Sequence, residues 1–126
     1  MIKELKLTIW GREFILPVAY RCHDGDNITK AQIEAVDAFG NNLQLIEQSK
    51  IYVEQYCRED VLDDGNNLKK GNIFSYIKPE YIFVKHDEQR PRVALMCNYR
   101  YDPEHGLAVV FSADGKITVG LQDIIL

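Results

Sequence analysis

The sequence predicts an α+β domain: a single twisted antiparallel sheet with an αα-hairpin packed on one face, in the order ββ-αα-ββββ. Three observations lead there. Apolar and polar residues alternate with period 2 at the start of the chain, two segments of helical periodicity follow, and alternation returns through the second half. Connections between the later strands are short, which forces antiparallel neighbours because a parallel return needs a crossover. At 126 residues the chain is expected to form one domain over 1–126, since two cores would each be too small to stand alone.

Leu5, Leu7 and Ile9 share one side of the first alternating run, with Lys6, Thr8 and Trp10 on the other. The pattern resumes after Gly11-Arg12 with Phe14, Leu16, Val18 and Tyr20, so the two runs read as a β-hairpin. Pro17 lacks a ladder donor and is expected on an edge strand or at a bulge. His23-Asp24-Gly25-Asp26-Asn27 has loop composition. Thr29 then opens a helix, with Gln32 completing a capping box and Ile28 placed to staple against Ile33. Ile33, Val36 and Phe39 follow at helical spacing, and Gly40 is expected as a left-handed stop.

A second helix is expected from about Leu43 to Cys57 or slightly beyond. Ile46, Val53, Tyr56 and Cys57 form its apolar stripe, flanked by Leu45 and Tyr52. Glu59 to Gly71 reads as a polar surface loop. Strands are then expected at Tyr81–Val84, from Val93 to Tyr101, at Leu107–Phe111, and around Ile117 and Val119 after the Asp114-Gly115 turn.

Hydrophobic residues make up 46% and charged residues 27%, the balance of a globular chain. Lys+Arg 15 against Asp+Glu 19 leaves −4, which argues against a dedicated nucleic-acid binder. No apolar run approaches the roughly 20 residues needed to cross a bilayer. Cys22, Cys57 and Cys97 are odd in number and form no CxxC pair, so three reduced thiols are expected, at least two of them buried. The alternating start Met1-Ile2-Lys3-Glu4-Leu5-Lys6-Leu7 is unlike a signal peptide. A cytoplasmic protein without a cofactor is expected.

Asp102-Pro103-Glu104-His105-Gly106 gathers two carboxylates and an imidazole, groups that can bind a metal or relay a proton. The same residues suit a turn: Asp at its first position, Pro at its second, Gly where the chain turns left-handed. The turn reading is preferred, because no HxH or HExxH spacing supplies further metal ligands. The rival is a small metal- or ligand-binding enzyme using Asp102, Glu104 and His105, with His23 or His86 brought in on another loop. Cys22 and His23 are adjacent in an extended segment and point to opposite sides, so mutual activation is not expected. Asp24-Gly25-Asp26 lacks the ligand ladder of a calcium loop.

Glu54, Glu59, Asp60, Asp63 and Asp64 cluster at the end of the second helix and beyond. Carboxylates there oppose the helix dipole, so helix stability does not explain them. A patch that meets a basic partner would. Tyr76, Tyr81, Tyr99 and Tyr101 are expected mainly as core or sheet-face residues, with a partner surface as the other role for aromatics. Gly11, Gly25, Gly40 and Gly65 are isolated turn glycines rather than a phosphate loop, and there is no GxSxG elbow.

Three stretches together resemble a family: Trp10-Gly11-Arg12-Glu13-Phe14-Ile15-Leu16-Pro17-Val18, Asp102-Pro103-Glu104-His105-Gly106-Leu107, and Gly120-Leu121-Gln122-Asp123-Ile124-Ile125-Leu126. With the capped Ile28-Thr29-Lys30-Ala31-Gln32 segment, they are similar to small bacterial domains of unknown function found among immunity proteins beside polymorphic-toxin genes. The resemblance implies a fold and carries over no catalytic residue. The expected function is therefore non-enzymatic protein binding, with a basic partner such as a cognate toxin and with no nucleic acid or membrane. A structural module that pairs with a second copy is the remaining alternative.

Overall fold

The computed structural model describes residues 2–22, 27–62, 73–86 and 89–126. Strand β1 (Glu4–Ile9) and strand β2 (Arg12–Tyr20) form the expected hairpin, in register from Glu4↔Pro17 to Ile9↔Arg12. The turn sits one residue earlier than the sequence suggested, at Trp10-Gly11. Both residues have positive φ, 48° and 87°, as a primed type I turn requires. Glycine reaches that region freely; tryptophan does so against its own Cβ and must be held there by packing.

Helix α1 (Lys30–Gly40) begins at Thr29 with the full capping box. Gln32 does more than cap. Its Oε1 accepts from the Thr29 backbone N–H at 2.9 Å, while its Nε2 donates to Arg21 O at 2.6 Å and Val84 O at 3.3 Å. One fully buried amide thus fastens the start of the helix to the ends of two strands. Gly40 is not the left-handed stop. The helix ends at Asn41 with φ −91°, and Gly40 instead faces Leu5 Cδ2, 3.7 Å from where a Cβ would stand.

Helix α2 (Gln44–Leu62) is longer than expected and takes in the first part of the stretch read as a surface loop. Asp63 to Gly71, the rest of that loop, lies outside the described residues, as does the His23–Asp26 turn. A 3₁₀ turn at Ile73–Tyr76 leads into β3 (Ile77–Val84), followed by β4 (Val93–Tyr99), β5 (Leu107–Phe111) and β6 (Ile117–Gly120). A second 3₁₀ turn, Gln122–Ile124, lies near the end. These two turns are additions to the predicted order.

The strands form one six-stranded sheet in chain order. The sheet is mixed, which corrects the all-antiparallel expectation: β2 and β3 run parallel through Val18↔Ile82, Ala19↔Phe83 and Tyr20↔Val84. The reason was within reach, because α1 and α2 together are the crossover that a parallel return needs. Pro17 sits inside the strand order, not at an edge. Pairing to β3 starts only at Val18, so the missing N–H breaks no bond on that side. Pro79 lies at an irregularity in the β3–β4 register.

Val36, Phe39, Ile46, Val53 and Cys57 from the helices pack with Leu7, Ile82, Leu95, Val109 and Phe111 on one side of the sheet. A second, smaller cluster fills the other side, where Ile125 covers Phe83, Ala94, Met96, Ala108 and Val110. The indole Nε1 of Trp10, just past β1, donates to Ser49 Oγ on α2 at 3.1 Å, and β6 packs on the same helix, so α2 reaches across the sheet from one edge strand to the other. Among the described residues no helix is long and apolar enough to cross a membrane.

Candidate functional site

The Asp102–Gly106 segment joins β4 to β5 as a self-contained turn. Asp102 C=O accepts from Gly106 N at 2.9 Å, and Asp102 Oδ1 accepts from the His105 backbone N at 3.3 Å. The same carboxylate takes the imidazole, with Nδ1 at 3.0 Å from Oδ1 and 3.2 Å from Oδ2. The hydrogen bond and the charge of Asp102 raise the proton affinity of His105 above its ordinary value. The His105 side chain remains 45% exposed, and Glu104 beside it is exposed. Gly106, at φ 65°, is where the chain needs a residue without a side chain. A Cβ there would stand 2.9 Å from Cys97 O and closer still to Gln122.

Gln122 locks this turn to the end of the chain. Its backbone N donates to His105 O and its Nε2 to Cys97 O, each at 3.1 Å. Chemically, the Asp102–His105 pair can orient an imidazole and hold a proton. His86 is buried after β3, and His23 lies outside the described residues. Among the described residues no group of three His, Cys, Asp or Glu side chains is placed to hold a metal ion.

The tyrosines expected on the sheet divide. Tyr99 is fully buried, whereas Tyr101 lies past the end of β4 and is partly exposed. Tyr76 and Tyr101 meet edge to face at 5.2 Å, Tyr99 and Tyr101 at 5.9 Å, and the Arg100 guanidinium covers Tyr76 at 5.5 Å. Partial burial and the Tyr76 hydroxyl push the Tyr101 phenol up. Cys57 and Cys97 are buried and Cys22 is half-buried. Burial drives the Cys97 thiol far above its ordinary value, which leaves it without a nucleophilic form near neutrality.

The acidic cluster is only partly described. Glu54 pairs with Arg58 at 3.6 Å, and Glu59 accepts from Gln55 Nε2 at 3.3 Å, both pairs along α2. Asp60 falls within α2, while Asp63 and Asp64 lie outside the described residues. Between the acidic positions the helix shows an apolar surface that the stripe reading missed: Ile51 is 68% exposed and Tyr52 48%. The buried positions Ile46, Ser49, Val53 and Cys57 place Ile51 on the opposite side and Tyr52 on the flank. Ile51 falls out of phase with the stripe, and that was the signal available in the sequence. Glu47 and Glu54 stand one turn before and after Ile51 on the same side of the helix.

No curated protein and no solved structure matches the chain. A family defined as a domain of unknown function does match, over residues 2–126, and so takes in all six strands of the sheet, both helices and the terminal 3₁₀ turn. The chain belongs to that family, the domain of unknown function DUF6985.

Proposed function

We propose that the domain is a protein-binding module whose partner is a basic protein, of which a cognate toxin is one class, and that it binds without catalysing a reaction. The observation that carries this reading is the exposed apolar pair Ile51 and Tyr52 on α2, with Glu47 and Glu54 beside Ile51. An isoleucine beside a tyrosine supplies apolar area with a polar tip, the composition of an interface anchor. Carboxylates around such an anchor speed encounter with a basic surface and select against wrong partners.

Affinity capture from the native host, run with the natural chain and with an Ile51→Asp, Tyr52→Ala variant, tests it. The natural chain is expected to retain one basic protein, with recovery falling as salt rises. The variant should bind that protein at least about thirtyfold more weakly, the loss that removing a central anchor brings. Equal capture by both chains, or no protein retained at low salt, would overturn the reading.

A further inference from the structure

The elbow between α1 and α2 leans over the β5–β6 hairpin and leaves a groove of about 250 Å³. Its floor is a pair of phenylalanines, Phe39 and Phe111, with ring centroids 5.1 Å apart and planes tilted by 48°. Leu45, Val93 and Ala35 also line it, together with the exposed Arg90. The cavity is larger than the roughly 150 Å³ that accepts benzene and smaller than the roughly 300 Å³ where drug-sized sites begin. One aromatic ring with a short substituent fits that volume. Phe39 and Phe111 are 4% and 3% exposed, so a narrow strip of each ring reaches the groove.

Charge then sets the substituent. Arg90 is exposed and carries a forked donor suited to a carboxylate. Arg90 also acts on Asp114, whose acidity owes most to hydrogen bonds from Ser112 and the Lys116 backbone and least to Arg90. Among the described residues no side chain forms an ion pair with Arg90. We propose that this groove binds a small aromatic carboxylate, with the ring on Phe39 and Phe111 and the carboxylate on Arg90. The site is separate from the Ile51–Tyr52 surface and does not depend on it.

Amide chemical shifts of the full chain, titrated with phenylacetate, phenylacetamide and hexanoate, test the proposal. Phenylacetate is expected to give saturable shifts at Ala38, Val93 and Gly115. The neutral amide should bind about three- to fivefold more weakly, the worth of one partly exposed ion pair. Hexanoate should also bind more weakly than phenylacetate. Arg90→Gln should remove the preference for acid over amide, and Ala35→Leu should block all three probes. Asp114→Asn, which keeps an acceptor for Ser112 and Lys116, should tighten phenylacetate by freeing Arg90. The proposal is overturned by any of three results on the natural chain: no saturable shift up to about 10 mM phenylacetate, equal affinity for acid and amide, or shifts confined to other residues.

Discussion

Two hairpin turns, Trp10-Gly11 between β1 and β2 and Asp102–Gly106 between β4 and β5, differ in a way that residue type alone conceals. The first looks like an ordinary chain reversal, yet it carries a buried tryptophan at positive φ that touches α2 and the 3₁₀ turn before β3. The second has the chemistry of an active site, yet its carboxylate and imidazole are spent on each other and on the backbone of their own turn. Arg12 extends the contrast, donating from Nη2 to Phe74 O at 2.8 Å and Ile77 O at 3.1 Å. The plain turn holds distant parts of the fold together, and the charged one mainly closes itself. Reactive side chains are informative only with their partners in view.

The sharpest way to break this comparison is Trp10→Ala. It removes the ring that packs at a tilt on Phe74, 4.9 Å between centroids, and leaves Ser49 without its donor, so a loss of about 3–5 kcal/mol is expected in urea unfolding. A value below about 1 kcal/mol would show that the turn does not anchor the core. Next come the two turn glycines. Gly106→Ala should cost about 1–3 kcal/mol from backbone strain, with the contact on Cys97 O added to it. Gly11→Ala meets nothing within 4 Å and should cost the strain alone, about 1–2 kcal/mol. Equal losses would mean that Gln122 and Cys97 give way freely around a new methyl.

The smallest effect belongs to the charged turn. His105 holds its proton more tightly in the folded chain than at the ordinary value of 6.5. Its contribution to stability is therefore fully present below that value and is lost as pH rises through the higher folded one. Asp102→Asn should bring the imidazole titration back toward 6.5, read from ring proton shifts, and should flatten stability across that interval. An unchanged titration would remove Asp102 as the cause.

Local chemistry was legible wherever it decided structure locally. Thr29 and Gln32 announce the start of α1 because a capping box needs only four consecutive residues. The Asp102–Gly106 turn is readable for the same reason. Long-range facts were harder to read. Nothing near Gln32 signals that its amide reaches Arg21 and Val84, and nothing near Pro17 signals where β3 joins. The second core could have been anticipated from the unbroken apolar runs Val93–Cys97 and Leu107–Phe111, which alternation between wet and dry faces does not explain. On α2, Ile51 was visible as an apolar residue off the stripe, but its exposure depends on how the helix is rotated against the sheet.

The parallel join between β2 and β3 also bears on the order in which the chain assembles. Every other strand pair links close neighbours in sequence, whereas this one must wait for Val18 to find Ile82 across about half the chain. Such a closure costs entropy before its own ladder bonds can offset it, which makes it a late event. Pulse-labelled amide exchange during refolding should find β3 to β6 protected first and the Arg21 amide, which donates to Val84 O at 3.1 Å, last. The two helices would then act as the tether that sets the pace of the final docking.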